Sequence, residues 1–142
     1  MNKDVGKKKI YGLLGKNISY SLSPVMHNAA FGDDVYEIFD RQENELTSFF
    51  EEYVDGGKLS GFNVTDPYKI IVKETLEKKF PECCKGSDAE IVGAVNTVKI
   101  DNGKITATNT DGRGFVESLK EICSEFSKPE SFAGKNIFVI GA

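Results

Sequence analysis

The chain has 142 residues, of which 39% are hydrophobic and 28% charged, enough for one soluble globular domain with a real core. A net charge of −4, a pI near 5.1 and the lack of a basic stripe argue against nucleic-acid binding. No run approaches the ~18 apolar residues of a membrane span, and no signal-peptide core of about 7–15 apolar residues follows the basic start Met1–Lys9, so a cytoplasmic location is expected.

In chain order, Lys9–Leu14 reads as a short apolar strand ending at Gly15. Ser23-Pro24 opens a helix to about residue 31, with Ser23 as its N-cap. Val35–Phe39 is a second strand. Glu45–Tyr53 reads as a helix with Leu46, Phe49, Phe50 and Tyr53 on one face, stopped by Gly56-Gly57. Leu59–Val64 is a third strand. Thr65 and Asp66 are cap residues, and Pro67 suits the first position of a helix running to about residue 80.

Lys79–Lys85 is irregular. Asp88–Glu90 precedes a strand predicted over Ile91–Lys99. Asn102-Gly103 signals a type I′ hairpin into the strand Ile105–Thr108. A helix follows from Phe115 to about residue 126, its apolar stripe including Leu119, Ile122 and Cys123. The early alternation of strand and helix predicts an α/β fold with a mostly parallel sheet covered on both faces; the hairpin adds an antiparallel pair.

The three cysteines fit neither a metal site nor a CxxC redox pair, since Cys83 and Cys84 are adjacent and Cys123 reads as a core residue. His27 is the only histidine, which excludes a multi-histidine metal centre; no metal is expected.

All but one of the chemistry-bearing candidates sit where strands meet helices. Lys69 falls in a first helical turn, where the dipole opposes a cation by about 0.3–1 kcal/mol and a capping box would place Glu or Gln. Such a local conflict points to a functional lysine, against the alternative of a solvated surface residue. Ser21 and Ser23 offer two hydroxyls beside a helix start, as caps or as a small anion site. Thr65 is a cap or a ligand contact. Asn96 lies within the otherwise apolar strand, so its amide must be hydrogen-bonded, to backbone or to ligand. Asp111 is flanked by a glycine before the last helix and could be its N-cap.

Four motifs decide among these alternatives. Gly61-Phe-Asn-Val-Thr-x-Pro-x-Lys69 resembles a signature of the shikimate dehydrogenase family. Gly93-Ala-Val-Asn-Thr97, Asn109-Thr-Asp-Gly112 and Ser21-Leu-Ser-Pro-x-x-His-Asn28 resemble further family motifs and stand in the family's order. Together they cover residues 21–112, and the resemblance extends over nearly the whole chain.

The resemblance implies a three-layer α/β/α sandwich with a mixed sheet, and an intact enzyme that reduces 3-dehydroshikimate to shikimate with NADPH in aromatic biosynthesis. It assigns Lys69 and Asp111 to catalysis at the reacting carbon, Ser21 and Ser23 to the substrate carboxylate, and Thr65 and Asn96 to ring hydroxyls. His27 and Asn28 match the family and read as structural. Residues 1–114 would be the substrate-binding catalytic domain and 115–134 a connecting helix and linker. Residues 135–142 would be the first strand of an NADP-binding Rossmann domain, with Gly141 beginning a phosphate loop that is not complete in this chain. This chain alone is therefore expected to be inactive.

Two other readings stay open: a dehydrogenase acting on quinate, and a non-catalytic ligand-binding module. The chain departs from the family pattern at Asp66, where the motif is usually apolar, and in a longer stretch at 79–87.

Overall fold

The computed structural model describes residues 8–125 together with Asn136 and Phe138. The chain divides into two compact units, Met1–Asn109 and Thr110–Ala142.

The first unit is an α/β fold on a five-stranded sheet. Its strands are β1 (Ile10–Gly15), β2 (Val35–Asp40), β3 (Gly61–Val64), β4 (Thr97–Asp101) and β5 (Lys104–Thr108). Their spatial order is β2-β1-β3-β4-β5. β1 pairs in parallel with β2 and β3, and β4 runs antiparallel to both β3 and β5. The mixed sheet is the one the sequence predicts. Its hairpin turns at Asn102 (φ 50) and Gly103 (φ 78), the two positive angles a type I′ turn requires.

Alternation along the strands sends neighbouring residues to opposite faces. Leu14, Phe39, Phe62, Val64 and Val98 enter the larger core, packed by Leu46, Phe49 and Phe50 from the second helical segment and by Val72 and Leu76 from the third. Leu13 and Tyr36 point the other way and join Ile18, with Tyr11, Phe31 and Ile38 around them. Helix α1 (Ser23–Asn28) lies against β2 on this thinner side. Asn28 fixes it there: its side chain accepts from the Tyr36 N–H at 2.7 Å and donates to the Tyr36 carbonyl at 3.0 Å, satisfying the outer edge of β2.

The helices depart from the sequence reading in five places. Helix α1 ends at Asn28 rather than near residue 31, and Ser23 is its first residue rather than its cap. Leu22 is the N-cap, and the Ser21 hydroxyl accepts from the Ser23 N–H at 3.3 Å, so the hydroxyl at the helix start comes two positions earlier than expected. The helix over 45–53 becomes a continuous segment of three kinds: a 3-10 turn (Glu43–Glu45), α2 (Leu46–Phe49) and a π-helix (Phe50–Asp55).

Helix α3 spans Lys69–Lys79, with Tyr68 and not Thr65 or Asp66 at its N-cap. Thr65–Tyr68 instead form a turn, closed by the Tyr68 N–H donating to the Thr65 carbonyl at 3.1 Å and containing a cis Asp66–Pro67 bond. The apolar pair Ile91-Val92 is not strand. It belongs to α4 (Asp88–Val92), which buries Ala89, leaves Ile91 87% exposed and ends at Gly93 with φ 77. Strand β4 begins only at Thr97. A left-handed glycine at a helix C-terminus was the signal that outweighed the apolar run.

In the second unit, α5 spans Asp111–Glu125. Asp111 is inside this helix, not before it, and the Gly114 N–H donates to the Thr110 carbonyl at 2.9 Å. Gly112 and Gly114 thus open the helix instead of preceding it. The side chain of Cys123 and, apart from Asn136 and Phe138, the strand expected at 135–142 fall outside the described residues.

Candidate functional site

The sheet order points to a candidate ligand site before any residue is considered. The β1–β2 connection runs to one side of β1, and β3 returns on the other. Loops leaving β1 and β3 therefore diverge, and a crevice opens at the carboxyl ends of these strands, the place where α/β sheets bind ligands. Because β4 is antiparallel to β3, its amino end lies at the same sheet edge.

Five of the six expected residues belong to that edge. Ser21 and Ser23 follow β1, Thr65 and Lys69 follow β3, and Asn96 immediately precedes β4. The β1 loop is pinned by Asp40, the last residue of β2, whose carboxylate accepts from the N–H groups of Asn17 at 2.8 Å and Ile18 at 3.0 Å. The Ser21 N–H then donates to the Ile18 carbonyl at 2.9 Å, and the Ser21 and Ser23 hydroxyls meet at 3.1 Å.

Thr65 extends β3 by donating its N–H to the Leu14 carbonyl at 2.9 Å. Its methyl packs against Gly15, where an added Cβ would lie 2.6 Å from it. Glycine at the end of β1 is thus a condition for the two loops to approach. Lys69 is the first residue of α3 and half-buried. Its carbonyl accepts from the Val95 N–H at 2.9 Å, which fastens the start of α3 to the segment carrying Asn96.

Asn96 is buried, and its backbone continues the ladder on both sides: its carbonyl accepts from Val64 N–H at 2.8 Å and its N–H donates to the Thr108 carbonyl at 3.0 Å. The Thr97 hydroxyl donates to its Oδ1 at 2.9 Å, fixing which way the amide faces. Behind it runs a polar relay absent from the sequence reading. Asn63 Nδ2 donates to Thr97 Oγ1 at 3.1 Å and to the Asn96 carbonyl at 3.3 Å, and the Tyr36 hydroxyl donates to Asn63 Oδ1 at 2.9 Å.

His27 stacks on Tyr36 at 4.2 Å between ring centroids, which gives His27 a packing role. Burial pushes the Tyr36 phenol up to about 12, so it remains a donor at any physiological pH. The sequence marks Asn63 as a polar residue between apolar neighbours on β3, but not the partners it meets across the sheet.

Asp111, the sixth residue, opens α5 in the second unit. Gly141 lies outside the described residues. An open hollow of about 210 Å³ beside Tyr11, His27 and Phe31 reaches Asn63 and Thr97 but is lined by none of the six. Among the described residues no three His, Cys, Asp or Glu side chains are grouped to hold a metal, and no helix is long and apolar enough to cross a membrane. The described residues also include no glycine-rich dinucleotide loop, and of the strand expected to lead into one they include only Asn136 and Phe138.

Fold and candidate site together define an α/β domain with polar side chains gathered at the edge of a mixed sheet, between strand-to-helix turns. The family model for the shikimate dehydrogenase substrate binding domain matches residues 13–98, and this chain belongs to that family. It is 41% identical, over 96% of its length, to a shikimate dehydrogenase (NADP(+)) of Methanococcus aeolicus, and 42% identical, over 95%, to one of Bacillus cereus. It spans 46% of each relative, about half their length. The Listeria monocytogenes shikimate 5-dehydrogenase, solved in complex with shikimate and NAD, superposes with a TM-score of 0.68 at 33% identity, covering 86% of this chain and 42% of that one.

Proposed function

We propose that this chain is the substrate-holding part of an enzyme that reduces 3-dehydroshikimate to shikimate with NADPH in the cytoplasm. The observation that carries the reading is the convergence of Ser21, Ser23, Thr65, Lys69 and Asn96 at the switch-point edge of the sheet, each on a motif of this family. Two hydroxyls 3.1 Å apart suit a carboxylate. The Thr65 hydroxyl and the Asn96 amide suit ring hydroxyls.

Lys69 and Asp111 would handle the proton that accompanies reduction and orient the reacting oxygen. The hydride would come from the cofactor; this chain's residues bind, orient and move the proton. In this reading residues 1–114 are the substrate domain, 115–134 the connection and 135–142 the entry to an NADP domain. The chain alone binds substrate without turning it over.

The test joins this chain to the cofactor half of the Methanococcus aeolicus relative and follows NADPH oxidation with 3-dehydroshikimate. The joined protein should turn over and the 142-residue chain should not. A folded joined protein that is inactive, or that prefers quinate as substrate in the reverse direction, would refute the reading.

A further inference from the structure

The turn after α3 holds two cysteines that the proposed chemistry does not use. Adjacent side chains in a regular strand point to opposite faces, and on a helix they diverge. Cys83 and Cys84 instead converge, with their sulfurs 3.6 Å apart and both side chains buried. The backbone is held so that they do. The Cys83 carbonyl accepts from the Ala107 N–H of β5 at 2.7 Å, and the Cys84 carbonyl accepts from the Ser87 N–H at 3.0 Å and its hydroxyl at 2.7 Å.

The spacing selects the kind of centre two sulfurs can share. With bonds of about 2.3 Å to each sulfur, a 3.6 Å separation subtends roughly 100° at the shared atom. A linear two-coordinate ion needs the sulfurs farther apart. A tetrahedral ion needs two more protein ligands, and no third ligating side chain is grouped with the pair among the described residues. A pyramidal three-coordinate centre that brings its own third substituent fits.

We propose that Cys83 and Cys84 form a chelating dithiol site for trivalent thiophilic compounds of the organoarsenical class. With phenylarsine oxide the balance is simple. The arsenic–oxygen bonds break and two arsenic–sulfur bonds form. The two thiol hydrogens leave with the oxide oxygen as one water, and neither arsenic nor sulfur changes oxidation state. Cys83 borders an open hollow of about 210 Å³ with Lys85, Ser87 and Ala107. About 150 Å³ accommodates a benzene ring.

Burial pushes the Cys84 thiol up to about 12 and raises Cys83 as well. Both are neutral thiols at pH 7, slow toward reagents that attack one thiolate. Chelation gains from holding both sulfurs in place.

The experiment is intact-mass measurement of the folded chain with phenylarsine oxide, beside iodoacetamide at equal concentration. One phenylarsenic group should add per chain, ahead of alkylation, and 2,3-dimercaptopropanol should remove it. When the treated chain is then unfolded and exposed to maleimide, two of its three cysteines should be protected. Cys84→Ser should lose the adduct and Cys123→Ser should keep it. No adduct on the folded chain, protection of fewer than two thiols, or an adduct that survives Cys84→Ser would overturn the proposal. None of these readouts depends on dehydrogenase activity.

Discussion

The backbone N–H of Val95 donates to the carbonyl of Lys69 at 2.9 Å. One hydrogen bond thus ties the first residue of α3 to the segment that delivers Asn96, two sites 27 residues apart in the chain. The lysine and the amide are positioned by one frame, so a change in one loop is felt by the other.

In the joined protein, Lys69→Ala should lower kcat by about 10²–10⁴-fold, the usual size of a general acid–base contribution. KM should change much less, since the hydroxyls at Ser21 and Ser23 remain. Ser23→Ala should show the reverse, with KM rising more than kcat. Asp111→Asn should resemble Lys69→Ala, and the double variant should cost less than the product of the two if they act as one unit. A folded Lys69→Ala protein within threefold of the parent kcat would sink the catalytic assignment.

The Thr97 hydroxyl fixes the Asn96 amide at 2.9 Å. Thr97→Val should weaken shikimate binding about 3–10-fold, corresponding to one hydrogen bond of roughly 0.5–1.5 kcal/mol. Thr97→Ser, which keeps the hydroxyl, should restore most of it. Calorimetric titration checks both variants. A loss in Thr97→Ser with none in Thr97→Val would mean that the methyl, not the hydroxyl, matters.

Much of this site was legible because its motifs sit at element ends. Ser21, Thr65 and Lys69 lie at the sheet edge where the strand-to-helix reading puts them, whereas Asn96, expected inside a strand over Ile91–Lys99, comes just before β4. The Asn102-Gly103 turn was legible for a local reason, since only two positive φ angles close such a hairpin. The start of α3 was not, because the turn at Thr65–Tyr68 is defined by its fold-back onto Thr65 rather than by cap preference. Nor was α4, where the apolar Ile91-Val92 suggested a strand but faces solvent. The Tyr36–Asn63–Thr97 relay joins three strands, and no local pattern reports a contact across a sheet.

Asp40 accepts two N–H groups from the loop that carries Ser21. Asp40→Ala should destabilise the first unit by about 1–2 kcal/mol, with water replacing part of what is lost. Asp40→Asn keeps one acceptor and should cost about half as much. Urea midpoints measure both. An Asp40→Ala chain as stable as the parent would show that the loop is held by something else.

Burial raises the Tyr36 phenol from the ordinary 10.0 to about 12. Between those values the folded chain keeps a proton that the unfolded chain releases. The unfolded state binds fewer protons there, so stability falls as pH rises. The contribution is full below pH 10 and is lost as pH climbs through about 12, amounting to at most ~3 kcal/mol. Cys84, raised from 9.0 to about 12 by burial, acts in the same sense from pH 9 upward. Urea midpoints should therefore drop between pH 9 and 11, and Tyr36→Phe should flatten the part above pH 10. An unchanged slope in that variant would rule out Tyr36 as a source.

Titrating the isotopically labelled 142-residue chain with shikimate, and following backbone and side-chain amide shifts, tests the central claim most directly. Saturable shifts should centre on Ser21, Ser23, Thr65, Lys69 and Asn96, with the Asn96 side-chain amide among the largest. Shifts confined to residues away from the carboxyl ends of β1 and β3, or no saturable shift in a folded chain, would contradict it.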